Sequence, residues 1–212
     1  LVYGVTAIVG GLIDHGRKSG GLSSYMLLVP ILLVSSEGVF SFTTLPDRST
    51  AKATTVVSLS RYEIVERLSQ APTFDSKELP LYLKAGFPKP EHASGSGLNI
   101  GDQRVIHFGG GGRRPGVLPE QHWHGGSTLT MEVSARTNNS VTFTTVSDKT
   151  PIAHWLRWES AKFSWQKEGA RMRVTCVIHY QRLLAPSFYF GPWQSYGTHL
   201  ASEHLLDSML DQ

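Results

Sequence analysis

From Arg171 to Tyr180 the chain alternates with period two: Met172, Val174, Cys176, Ile178 and Tyr180 fall on one face, and Arg171, Arg173, Thr175, Val177 and His179 on the other. This is the pattern of a half-buried strand. A turn through Gln181–Ala185 leads to Pro186, whose fixed φ and missing N–H suit the start of a helix. Phe188, Tyr189, Trp193, Tyr196, Leu200, Leu205 and Met209 then recur at three- and four-residue steps, which predicts a helix from about Pro186 to Leu210 with one broad apolar and aromatic face. Gly191-Pro192 marks a bend or a delayed start. A helix with such a face, following a strand with one apolar face, must lie across a sheet, with core or cavity between them.

The preceding chain supplies that sheet. Ala51 to Leu59 is rich in Thr and Val and reads as a strand. Ser60 and Glu63 form a capping box for a helix over Arg61–Gln70, with Ile64, Val65 and Leu68 inward and a stop before Pro72. Ser76 to Lys84 reads as a second short helix ended by Gly86, and Phe87 to Gly97 as irregular. Gln103–Phe108, Ser127–Ala135, Val141–Val146 and a segment within Trp155–Trp165 alternate as strands, separated by turn chemistry at Asn138-Asn139, at Asp148–Pro151 and at Glu168-Gly169. The expected class is α+β, with an antiparallel meander curling around the final helix.

The first 45 residues differ from the rest. Leu1–Ile13 and Leu22–Val34 are apolar and uncharged, joined by the polar Asp14–Gly21; continuing the second run to Phe42 gives about twenty residues, the length a membrane helix needs. Leu1 reads as a cut or processed end. The organisation expected is membrane-spanning segments over 1–42, a linker over 43–50 and a ligand-binding domain over 51–212. Arg17 and Lys18 would hold the connecting loop on the cytoplasmic side and place the domain on the opposite one. Two buried soluble helices, or a secretory signal over the second run, are the competing readings. Net charge is +3, with basic residues scattered rather than striped, so no nucleic-acid partner is expected. The lone Cys176 cannot form an internal disulfide and reads as a core residue.

Four stretches carry a resemblance: Arg61–Leu68 with Pro72 behind it, Gly101–Phe108, Asp148–Ile152, and Tyr180–Pro192, the last being the most specific. Over about Thr54–Leu210 the chain resembles the polyketide cyclase/dehydrase branch of the START-like (SRPBCC) superfamily. Ile64-Val65 departs from the Val-Trp pair usual in that family. The resemblance implies a helix-grip fold with a deep apolar cavity between a curved sheet and the last helix. It also implies a hydrophobic ligand or lipid, with cyclase or dehydratase activity in a minority of relatives. Membrane helices precede such domains in some bacterial relatives. Catalytic residues are not shared across the superfamily, so none is carried over.

The residues expected to line the ligand site are Arg104, Phe108, Met131, Phe143, Trp165, Ile178, Tyr180, Tyr189, Trp193 and Tyr196. For acid–base chemistry, Asp148 and Arg104 are the candidates, with Tyr180, Arg182 and Tyr189 behind them. The plainer alternatives are that Asp148 caps its own turn toward Thr150, that Arg182 is ion-paired at a strand end, and that the aromatic residues are core. His122-Trp123-His124, with His107 or His154 near, offers imidazoles but no third ligand at a defined spacing, so neither a metal nor another cofactor is expected. Gly109–Gly112 with Arg113-Arg114 lacks the Lys-Ser/Thr and the helix of a phosphate cradle. Three functions fit: binding of a hydrophobic small molecule or lipid at a membrane, cyclase/dehydratase-like catalysis, or an interaction domain whose cavity is filled by its own aromatics.

Overall fold

The computed structural model describes residues 46–74, 79–109 and 127–210. The membrane segments expected over 1–42, the start of the second helix at Ser76, the loop at Gly110–Arg114, and His122 and His124 lie outside the described residues. Among the described residues no helix is long and apolar enough to cross a membrane.

The chain forms β1 (Arg48–Val57), α1 (Arg61–Ser69), α2 (Leu81–Gly86), β2 (Pro90–Ser94), β3 (Gln103–Phe108), β4 (Ser127–Thr137) and β5 (Ser140–Asp148). A 3-10 turn (Pro151–His154), β6 (Leu156–Glu168), β7 (Arg171–Arg182) and α3 (Ser187–Leu210) follow. The seven strands make one curled antiparallel sheet in the order β1-β7-β6-β5-β4-β3-β2. With α3 across it, this is the α+β helix-grip arrangement.

Local chemistry sets the element ends. At α1 the Ser60 hydroxyl accepts from the Glu63 amide at 3.2 Å and the Glu63 carboxylate accepts from the Ser60 amide at 2.6 Å, closing the capping box. Gly169, at φ 61°, makes the β6–β7 turn. The first strand begins inside the expected linker, because Arg48–Thr50 pair with Gln181–His179. β2 replaces a segment expected to be irregular. It is a sheet edge, so the missing N–H of Pro90 at its first position costs no ladder bond.

At one end of the sheet the core is closed: Phe143 meets Phe163 edge to face at 6.1 Å, and Val133, Val141, Val174 and Cys176 pack with Ile64 and Leu68 of α1 and with Leu206, Met209 and Leu210 of α3.

The orientation of α3 corrects the expectation. The helix runs from Ser187 straight through Pro192, but Tyr189, Trp193 and Tyr196 are 58, 55 and 53 % exposed. The buried stripe is Gly191, Gln194, Thr198, Ser202 and Leu206. Its hydroxyls are satisfied by the helix itself: Thr198 donates to the Gln194 carbonyl at 2.8 Å and Ser202 to the His199 carbonyl at 2.7 Å. The Gln194 amide donates to the Trp155 carbonyl at 2.7 Å. With these donors paired, the glycine, threonine and serine positions let the helix lie close to its neighbours, and the large rings are left outside.

Candidate functional site

Between the sheet and the two later helices lies an apolar cavity of about 110 Å³. Its floor is built from in-phase strand positions: Ile106 and Phe108 on β3, Leu129 and Met131 on β4, Ala161 on β6 and Ile178 on β7. Phe74, Leu79, Leu83, Phe87, Pro88 and Pro90 close it above, Ala201, His204 and Leu205 of α3 form one wall, and Ile152 and Trp158 form another. Small side chains leave the space: Ala161 stands beside Ile178 where the next inward position of β6 is Phe163, and Ala201 presents only a methyl group on the helix side. Among the described residues, only Ser160, His204 and the Trp158 indole bring polar side-chain atoms to the lining. The His204 ring lies over Phe74, with centroids 6.0 Å apart and planes 25° apart.

The short α2 acts as a cover. Leu83 is buried toward the cavity, and Tyr82 points sideways to α3. Tyr82 meets Tyr196 edge-on at 5.1 Å. Burial, and Tyr196 beside it, hold the Tyr82 phenol above its ordinary pKa. Gly197 is the notch that permits this contact, since a Cβ there would stand 2.6 Å from Phe87 Cζ and 2.9 Å from Tyr82 Cε1.

Beyond Trp158 is a second hollow of about 340 Å³, lined by Thr145, Val146, Ser147, Asp148, Ala153, Arg157 and Trp158. It occupies a split in the sheet. β5 and β6 pair only as far as Thr144 and Ser160, after which β5 stays with β4 and β6 with β7. The β4–β5 register skips Val146, so that Thr145 pairs with Met131 and Asp148 with Leu129. Directly opposed residues share a face. The bulge therefore turns both Thr145 and Asp148 to the inner side, whereas three residues apart in a regular strand they would face opposite ways. Asp148 Oδ1 accepts from the Thr150 amide at 2.9 Å and from the Thr150 hydroxyl at 2.6 Å. Among the described residues, Asp148 Oδ2 and Thr145 Oγ1 are buried without a hydrogen-bond partner.

Of the residues expected to line a ligand site, Phe108, Met131 and Ile178 line the cavity; the others are placed elsewhere. Arg104 is 2 % exposed and serves the backbone: its guanidinium donates to the Ser69 carbonyl at 2.7 Å and the Gly97 carbonyl at 2.8 Å, tying α1 to the β2–β3 turn. It sits 5.8 Å over the Phe143 ring, and burial lowers its pKa, with Asp102 partly opposing. Phe143 and Trp165 belong to the closed core. Tyr180 is buried with its hydroxyl 3.3 Å from the Ser195 hydroxyl. Tyr189, Trp193 and Tyr196 are on the outer side of α3. Asp148 does cap its turn, and it lines the second hollow, whereas Arg104 lines neither. Arg182 pairs with no carboxylate among the described residues; it donates to the Pro46 carbonyl. Among the described residues no cluster of three or more metal-ligating side chains occurs.

Ile106 and Leu129 alternate in phase with Phe108 and Met131 and were readable as lining by that signal. Phe87, Pro88 and Pro90 lie in the segment expected to be irregular, and Trp158 is displaced by the β6 bulge between Trp158 and Ser160, so neither announces itself.

No family model and no curated protein matches the chain. Among solved structures it is similar to TTHA0849 from Thermus thermophilus, at 12 % identity over 77 % of this chain and 95 % of that one, with a TM-score of 0.49. The Zhui aromatase/cyclase from Streptomyces sp. R1128 gives 12 % identity, 77 and 92 % coverage and a TM-score of 0.49. Truncated norcoclaurine synthase from Thalictrum flavum gives 13 %, 77 and 92 %, and 0.45.

Proposed function

We propose that this domain binds a small, largely apolar molecule, or the apolar end of a larger one, in the cavity between the sheet, α2 and α3. The observation that carries the reading is the cavity itself, about 110 Å³ of space with an almost wholly apolar lining. Water against such a lining finds few hydrogen-bond partners, so an apolar occupant is favoured over it. The size limits the occupant. A dry apolar cavity of ~150 Å³ accepts benzene, so a space of about 110 Å³ takes at most one ring or a few methylenes.

Toluene titrated into the protein, followed by NMR or calorimetry, tests this. Saturable binding that is lost in Ala161→Phe is the expected result; no saturable binding to the unsubstituted protein would refute the reading. The same proposal keeps residues 1–42 as a membrane tether, supported by their two uncharged apolar runs. Flotation of the full chain with liposomes, lost on removing 1–42, checks it.

A further inference from the structure

Trp158 is common to the two hollows: its side lines the apolar cavity and also the polar split between β5 and β6. We infer that the two hollows form one amphiphile site, the cavity taking the apolar body and the split taking a hydrogen-bond-donating head, an amine or hydroxyl, against Asp148 and Thr145. The inference rests on the binding reading above and adds the class of ligand to it.

Three observations converge on a donor head. Asp148 is held by one oxygen only, so its orientation is fixed by Thr150 while Oδ2 stays buried and unpartnered among the described residues. An unpaired buried acceptor of this kind is costly, and a donor placed against it recovers that cost. Among the described residues Thr145 Oγ1 is likewise unpartnered in the same hollow, and the Val146 bulge puts the two on the same inner side as Leu129 and Met131 of the cavity floor. Finally, the split opens to solvent through Val146 and Arg157, both exposed, so a head group reaches it without crossing the apolar core. Arg157 is the one lining group that favours an anion. It is exposed, and its guanidinium donates to Gln181 at 3.3 Å, so solvent screens it, whereas Asp148 Oδ2 is buried.

The test uses one ring and one tether with different ends: 3-phenylpropylamine, 3-phenylpropan-1-ol, 3-phenylpropanoate and propylbenzene, each titrated calorimetrically into the full chain. The amine and the alcohol are expected to bind at least about tenfold more tightly than propylbenzene, and the carboxylate more weakly than either. Asp148→Asn keeps an acceptor for Thr150 and should weaken the amine roughly ten- to hundredfold while leaving propylbenzene unchanged. Thr145→Val, which retains the shape of the strand residue, provides the second variant and should weaken both donors. Equal binding of the four compounds, tighter binding of the carboxylate, or no loss in either variant would overturn the inference. Toluene binding without head-group preference would leave the cavity reading standing and remove only this one; no binding of toluene or propylbenzene would remove the cavity reading.

Discussion

Tyr82 and Trp193 are joined twice: their rings are stacked with centroids 6.4 Å apart and planes 12° apart, and the Tyr82 hydroxyl donates to the Trp193 backbone carbonyl at 2.9 Å. This contact ties the cavity's cover to its longest helix. Because α2 is only six residues long and has no side-chain cap, its position depends on such contacts more than on its own helical stability.

Loosening this clasp should therefore speed ligand exchange more than it changes affinity, since α2 supplies part of the cavity's cover and little of its floor. Tyr82→Ala is expected to raise the toluene exchange rate about tenfold or more, and Tyr82→Phe, which loses only the hydroxyl bond, by roughly fivefold. Gly197→Ala gives an independent check. Alanine favours a helix interior by about 1 kcal/mol, yet the new Cβ would stand 2.6 Å from the Phe87 ring. Faster exchange with no gain in stability is expected, measured by NMR exchange and urea unfolding. A full gain in stability with unchanged exchange would show that α2 does not rest on this notch.

Arg104 should matter for stability rather than binding. Arg104→Met leaves the Ser69 and Gly97 carbonyls without their donor in a buried site, an expected loss of about 3 kcal/mol. Arg104→Lys should recover little, because both carbonyls are reached by a single nitrogen, Nη2, and the shorter lysine side chain ends one bond before that position. The urea midpoint should fall with an unchanged slope, and toluene affinity, measured where the variant is folded, should stay the same.

Much of this fold is legible because burial and local propensity agree. The alternation of Arg171–Tyr180 gives the strand and its inner face, with Val174, Cys176, Ile178 and Tyr180 all buried, and Ser60 with Glu63 gives the start of α1. On α3 the two signals part. The aromatic residues trace a face by their spacing, but the buried stripe is made largely of Gly, Gln, Thr and Ser whose donor groups are paired within the helix or to Trp155, and hydrophobicity does not mark such a stripe. The second hollow was hidden for another reason. Thr145 and Asp148 share a side only because Val146 bulges, and a period-two reading puts them on opposite sides. β2 went unread because its Pro and its flanking glycines resemble a loop until an edge position excuses them.

Trp158 should report occupancy. It borders both hollows, so filling the cavity changes the polarity and packing around one indole. Toluene is expected to shift or quench tryptophan emission in the unsubstituted protein, and Trp158→Phe should abolish most of that response while calorimetric binding persists. A response retained in Trp158→Phe would mean that the ligand lies against another tryptophan and that the cavity is not its site.

Cys176 supplies an alkaline test of the core. The side chain has no solvent exposure, and burial pushes its thiol up to about 12 from an ordinary 9.0. The folded state thus disfavours the thiolate, so the stability tied to this group is fully present below about pH 9 and is lost progressively as pH rises from there toward about 12. Other groups titrate in the same range, so the difference between proteins carries the information: unfolding free energy against pH should fall more steeply for the unsubstituted chain than for Cys176→Ala between pH 9 and 11, by up to roughly 1.4 kcal/mol per pH unit. A thiol reagent at pH 8 should label Cys176 only at the rate of opening, and denaturant should accelerate labelling in step with unfolding. Immediate labelling of the native protein, or parallel pH curves for the two chains, would show that the β7 inner face is open to water at its centre.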